Sequence, residues 1–423
     1  MTLDPGENRV FVGLPGGGYA FTRLDRGVRI EFRYLRRKDG QLHAECDVST
    51  DIPGASLAAG SLSCADLNLS SQRERLQRAK YCADRAHTWK LTNQGRKTGD
   101  DEVDFVGIFD EACVLAIRAE REGLEAIVLD DAPEEGPPQD FLVHGLSVPS
   151  DSHSQIIADG DGLKSLILLL VLGTLAQLGI PVAYLDWEWT AARHKARKRR
   201  LFGISRLEHL HYRHCRNPLA VELDAIRRFC DEKQIQFLAI DSVGLACDGK
   251  LADDDVARAY NRALDYLPPS LAAAHIPKNA EGAANLKAFG SAFFHNFARL
   301  TFTVKKQDGD SDDVVAVLIT RQKQNDGARL RPVCLEFTFD PDRIAVRNVD
   351  PVTVQAFVED LPLWQRMKHA LTPGPQTIAR LAQDLGANAE SLERTVRRKN
   401  GLFTRVPGPD GVARIALLEG RYA

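Results

Sequence analysis

Strand-like and helix-like segments alternate from Gly145 to about Val349, and this alternation limits the possible folds more than any other feature of the chain. Residues 154–157 read as a short strand, and residues 164–178 as a helix closed by Gly179 and Pro181. Residues 182–185 form a second apolar run, residues 219–232 a helix, and residues 235–240 a third apolar run. Short apolar strands separated by helices must be covered on both faces. They therefore predict an α/β architecture, a mostly parallel sheet flanked by helices.

The remaining sequence divides around this core. With 423 residues the chain is too long for one compact core. Residues 1–143 open with alternating patterns at 18–22 and 28–34, then the turn Lys38-Asp39-Gly40 and a further alternation at 42–48. Helical patterns follow at 71–89 and 105–119, and the acidic, proline-rich stretch 130–138 reads as a linker. A β-rich N-terminal domain with no legible chemistry is expected there, suited to oligomerisation or partner binding. Residues 361–423 read as three helices (361–371, 377–385, 389–399) and a hairpin (402–406, 413–418), the winged-helix pattern.

Charge and cysteine usage narrow the function class. The net charge is −3 at 27% charged residues, so nucleic-acid contact must come from local basic patches. The eight cysteines form no C-x-x-C pair, which fits reduced thiols and a cytoplasmic protein. The N-terminal MTLDPGENRV lacks a leader pattern, and the apolar run 166–172 is too short for a bilayer, so no membrane association is expected.

The segment between the first core strand and its helix carries the sharpest signal. Asp159, Gly160, Asp161, Gly162, Leu163, Lys164 and Ser165 stand where a phosphate-binding loop places its backbone amides, its lysine and its metal-binding hydroxyl. Lys164 would reach the β- and γ-phosphates of ATP, and Ser165 would hold Mg²⁺. The match to G-x-x-x-x-G-K-[ST] is imperfect: Ala158 and Leu163 occupy the two glycine positions. The plain alternative is a Gly-Asp turn that caps a helix.

Further residues follow at matching places. Glu188, past the second strand, would orient or deprotonate an attacking water. Asp241 ends the third apolar strand, the place of a Walker B acid that supports Mg²⁺. His275 ends another strand, as His-x-x-Lys278. Gly290-Ser291 opens a helix that ends in Asn296-x-x-Arg299, and a strand at 314–319 runs into a turn carrying Arg321 and Lys323. As ordinary structure, each of these would be a solvated strand end or a structural histidine. The ordered set resembles the RepA-like hexameric replicative helicases and kindred RecA-superfamily ATPases of phages and plasmids, over about 200 residues. The resemblance implies Glu188 as catalytic base, His275 as a coupling residue, and Arg321 and Lys323 as fingers that complete a neighbouring subunit's site. A homo-oligomeric ring acting on single-stranded DNA follows from it, as does a replication or defence partner for the N-terminal region.

Three other signals are weaker. Glu208-His-Leu-His-Tyr-Arg-His-Cys215 has metal-ligand residue types, but ligands from one extended stretch converge poorly. The basic run 193–200 fits a solvated helix face better than a DNA contact. Arg394, Arg397, Arg398 and Lys399 lie on the expected recognition helix, where they suit DNA phosphates, although winged helices also dock proteins. The alternative to a motor is a non-motor, nucleotide-dependent DNA-binding ATPase: a helicase loader, recombination mediator, regulator or anti-phage switch.

Overall fold

The computed structural model describes residues 8–14, 17–86, 90–91, 97–98, 103–123, 128–132, 136, 140–159, 163–276, 289–309, 311–324 and 331–418. The chain divides into two compact units, Met1–Glu134 and Glu135–Ala423.

In the first unit, β1 (Arg9–Gly13), β2 (Tyr19–Arg23), β3 (Val28–Lys38), β4 (Gln41–Thr50) and β5 (Ser63–Asn68) pair in sequence order as an antiparallel sheet. The period-2 pattern of β3 buries Val28, Ile30, Phe32 and Tyr34 on one face. Helices α1 (Gln72–Ala86) and α2 (Phe105–Glu122) add Ala79, Cys82, Phe109 and Ala112 to the same core. The short pair β6 (Lys90–Leu91) and β7 (Lys97–Thr98) falls between them in sequence.

The second unit begins with a hairpin, β8 (Phe141–Val143) and β9 (Leu146–Val148). Then come β10 (His153–Ala158), α3 (Lys164–Gln177), β11 (Val182–Asp186), α4 (Ala191–Phe202), β12 (Leu210–His214) and α5 (Leu219–Lys233). They are followed by β13 (Phe237–Asp241), α6 (Val243–Ala246), α7 (Asp254–Leu264), β14 (Ser270–His275) and α8 (Ala292–Phe297). Last are β15 (Leu300–Asp308), β16 (Val314–Gln324), β17 (Val333–Phe339) and β18 (Ile344–Val349). These strands form one nine-stranded sheet in the order β12-β11-β13-β14-β10-β15-β16-β17-β18. The six strands from β12 to β15 are parallel, and β16, β17 and β18 extend the sheet antiparallel.

Side-chain alternation sends Ile156 and Ala158 of β10 to the α3 face and Ile157 to the face covered by α5, α6, α7 and α8. Helix α3 is buried almost all round, from Leu166 to Gly173, so it lacks the polar stripe of a surface helix. Gly173 of α3 is where Phe202 of α4 closes in: a β-carbon there would stand 2.2 Å from the ring.

Beyond β18, Phe357 and Leu361 pack on Ala316, Leu318 and Cys334. Helices α9 (Leu363–Ala370), α10 (Ile378–Leu385) and α11 (Ala389–Arg398) and the hairpin β19 (Phe403–Pro407) with β20 (Ala413–Leu417) share a small core of Met367, Leu381, Leu392, Phe403 and Ile415. Thr377 and Asn388 cap α10 and α11 with their side chains. Among the described residues no helix is long and apolar enough to cross a membrane.

Candidate active site

The parallel strands β10, β11, β13 and β14 end at one edge of the sheet. There Asp186 stands opposite Asp241, and Ala158 opposite His275. Open parallel sheets bind ligands outside such carboxyl ends.

Lys164 is the first residue of α3 and only 6% exposed. Its Nζ donates to the backbone oxygens of Ala158 at 3.1 Å and Asp159 at 2.7 Å. Burial pulls its pKa below the usual lysine range, against the charges of Asp241, Glu188 and Asp159. His275 is pulled down by burial first and by Lys164 second, and Glu188, Asp241 and Asp159 oppose this. These five groups therefore share one electrostatic neighbourhood.

Leu163 precedes Lys164 in the left-handed region, at φ 54° and ψ 18°. Glycine adopts that conformation freely, whereas leucine pays about 1–2 kcal/mol for it. Leu163 thus takes, at the motif's second glycine position, a conformation that glycine adopts freely. The Leu163 carbonyl accepts the amides of Leu166 and Ile167. Lys164 and Ser165 carry two of the first-turn N–H groups that have no intrahelical acceptor. Gly160, Asp161 and Gly162 lie outside the described residues.

Asp241 is 4% exposed, and its Oδ2 accepts from the Tyr184 hydroxyl at 2.7 Å. The same hydroxyl stands 3.3 Å from the Ser165 backbone oxygen. One phenol thus links the start of α3 to the end of β13. Burial, then the charge of Asp241, drives the Tyr184 pKa well up, so the phenol stays protonated. Next in the chain, across a cis peptide, Ser242 donates from Oγ to Glu188 Oε1 at 2.8 Å. Glu188 is otherwise exposed at the cleft.

Asp186 is a carboxylate of the candidate site that sequence reasoning missed. It has no exposed surface. Its Oδ1 accepts the amides of Glu188 (2.9 Å) and Trp189 (3.1 Å), and its Oδ2 accepts from His194 Nε2 (2.9 Å) and the Tyr212 hydroxyl (3.0 Å). Burial raises its pKa, but these donors outweigh burial and hold it below the ordinary aspartate value. The segment that carries Glu188 is thereby fixed to the strand end. The available signal was a carboxylate closing an apolar strand, level with Asp241.

The tryptophans and the basic run have structural partners. Trp187 donates from Nε1 to the Asn217 backbone oxygen at 2.8 Å. Arg193 and Arg197 lie over the Trp189 ring, 4.7 and 3.8 Å from its centroid. The run 193–200 lies on α4, where His194 points inward and is 5% exposed.

Arg321 and Lys323 were expected in a turn; they lie within β16 instead. Arg321 pairs with Phe302, which pairs with Ile156, while Lys323 pairs with Thr301, which pairs with Gln155. Since β16 runs against β10, Lys323 sits farther from the phosphate edge than Arg321 does. The Arg321 side chain is 8% exposed; it donates to the Ser147 backbone oxygen and approaches Asp140 Oδ2 at 3.6 Å. Burial lowers its pKa and Asp140 raises it. The structure does not gather Arg321 with Lys164 and Asp241. The side chain of Lys323 lies outside the described residues, as does Lys278.

Arg394, Arg397, Arg398 and Lys399 are exposed at the carboxyl end of α11. Arg394 pairs with Glu390 one turn back, and the Lys399 ammonium lies 5.3 Å from the Trp364 ring.

Among the described residues no group of three or more His, Cys, Asp or Glu is placed to hold a metal ion. Mg²⁺ on a nucleotide needs fewer protein ligands, about one or two, because phosphates and waters complete its shell. Ser165 offers a hydroxyl at the start of α3 and Asp241 a carboxylate at the end of β13, and Tyr184 ties the Ser165 backbone oxygen to that carboxylate, an arrangement that fits this requirement.

No family model matches the chain, and no curated protein matches it. Among solved structures, a KaiC-like protein of Pyrococcus horikoshii is similar at TM-score 0.38 and 14% identity, covering 50% of this chain and 99% of that one. Flagellar accessory protein FlaH of Methanocaldococcus jannaschii is similar at TM-score 0.35 and 15% identity, covering 46% of this chain and 89% of that one. Likenesses this weak establish neither a family nor an activity.

Proposed function

We propose that this chain is a RecA-like P-loop ATPase that binds MgATP at the edge formed by β10, β11 and β13 and uses it to move along DNA. The finer reading is a helicase or translocase of RepA-like type, cytoplasmic and serving the replication of a mobile element. The observation that carries the proposal is the convergence of Lys164, bonded to the Ala158 and Asp159 carbonyls, with Asp241, held by Tyr184, and Glu188, held by Ser242.

The roles follow from the geometry. Lys164 exchanges the carbonyls of Ala158 and Asp159 for phosphate oxygens, and the first-turn amides of α3 add their dipole end. Ser165 and Asp241 would hold Mg²⁺, which would supply neutralisation of phosphate charge there. Glu188, fixed by Ser242 and by the Asp186 turn, orients the attacking water. His275 sits where the phosphate end of the nucleotide would be felt. Arg321 and Lys323 lie on a strand that leads away from their own phosphate edge, so they act on the site of another copy, in a ring closed by repeated contacts. Single-stranded DNA is the track. Arg394, Arg397, Arg398 and Lys399 add a phosphate-contacting face on the winged helix.

One observation favours the non-motor alternative. Arg321 is buried on Asp140 and Ser147, so it must be released before it can serve a neighbour. A loader, mediator, regulator or defence switch would use that release as its signal.

ATP turnover with and without single-stranded DNA, and strand displacement on a forked duplex, test the proposal. Glu188→Gln should keep MgATP affinity within about threefold and lose about 10²-fold or more in turnover. Turnover equal to wild type in that variant contradicts the site. DNA-stimulated hydrolysis without unwinding selects the non-motor reading.

A further inference from the structure

Away from the phosphate edge, the second unit carries an open-mouthed cavity of about 430 Å³ between α4, the 203–209 segment, β12 and α3. That size falls among small-molecule sites, roughly 300–1,000 Å³. Leu169, Leu207 and Leu210 give it an apolar floor, and Tyr184 and Tyr212 an aromatic wall. Lys195, Lys198, Arg199 and Arg206 also line it, and no Asp or Glu does.

Two of the four cations are committed elsewhere. Lys198 donates to the backbone oxygens of Gly203 and Ser205, and Arg206 pairs with Glu208 at 2.9 Å. Lys195 and Arg199 are exposed and have no ion-pair partner among the described residues. His194 also lines the cavity, but not with a nitrogen open to a ligand. His194 spends Nε2 on Asp186, while its Nδ1 is buried with no hydrogen-bond partner.

We propose that this cavity binds a small amphipathic organic anion: a flat apolar body against Leu169, Leu207, Leu210 and Tyr212, and an acidic head at Lys195 and Arg199. Apolar lining with a few convergent polar groups is the general make-up of such sites. Here Lys195 and Arg199 are the lining cations without an ion-pair partner among the described residues. The site is separate from the phosphate edge, although Tyr184 and His194 contribute to both walls.

The test titrates the full chain with 1-anilinonaphthalene-8-sulfonate, read by fluorescence, and with its uncharged counterpart N-phenyl-1-naphthylamine. Saturable binding of one sulfonate per chain is expected. Charge reversal at the two exposed positions, Lys195→Glu with Arg199→Glu, should weaken the sulfonate at least tenfold and the amine less than threefold. Leu210→Trp, which fills the cavity, should weaken both at least tenfold. If Leu210→Trp fails to fold, the charge-reversed protein decides alone. Lys164→Ala should leave sulfonate binding unchanged, which separates this cavity from the nucleotide edge. Wild-type sulfonate affinity in the charge-reversed protein overturns the proposal. So does displacement of the dye by MgATP, or by a ten-nucleotide oligothymidylate, which would assign the basic rim to nucleic acid.

Discussion

Asp186 accepts four hydrogen bonds at a position with no exposed surface, and its negative charge makes all four favourable. Replacing it with Asn should cost about 3 kcal/mol at pH 7, because charge-assisted bonds are lost and donors are left poorly matched. The sign with pH follows from its depressed pKa. The stabilisation is complete above the unfolded value of about 4 and is lost as pH falls through the lower folded value. The gap between wild type and Asp186→Asn in urea melts should therefore narrow from pH 7 to pH 3, and a gap that widens on acidification would count against this account. Lys164, Glu188 and Asp241 were legible in sequence because their spacing from the strand and helix boundaries is local. Asp186 and Tyr184 were not. Their partners, His194, Tyr212 and Ser165, reach them only when α4, β12 and α3 pack around β11.

At the scale of elements, β16 is where the local pattern misled. The polar run Thr320-Arg-Gln-Lys-Gln reads as a turn, yet pairing with β15, shifted in register at Thr301/Phe302, carries the strand to Gln324. Tertiary pairing outweighed local propensity there. Helix α7 and the strands β17 and β18 also went unread: α7 shows its apolar face (Ala257, Tyr260, Ala263, Leu264) at helical spacing and was legible, whereas the antiparallel strands belong to no strand–helix alternation. The alternation itself located β10, α3, β11, α5 and β13, and only their ends shifted by a residue or two. Arg321 gives the element-level prediction. Arg321→Ala should abolish turnover and leave MgATP affinity nearly intact, and mixing it with Glu188→Gln protein should restore part of the activity. Absence of rescue at every ratio, with mixed assembly demonstrated, would refute shared sites.

For the whole molecule, net charge of −3 confines the proposed DNA contact to local patches, of which the end of α11 is the one proposed. Reversing Arg394, Arg397 and Arg398 to Glu in the full chain should weaken duplex binding at least tenfold. It should also flatten the salt dependence by about 0.9 in log–log slope for each DNA phosphate that the protein no longer neutralises. Unchanged affinity and slope would assign that face to protein docking instead. The central claim is that a nucleotide's phosphates sit where β10 turns into α3, gripped by Lys164. Calorimetric titration of MgATP into wild type and Lys164→Ala tests it most directly. One site per wild-type chain is predicted, weakened at least tenfold (about 1.4 kcal/mol) in the variant; equal affinity in the two proteins would contradict it.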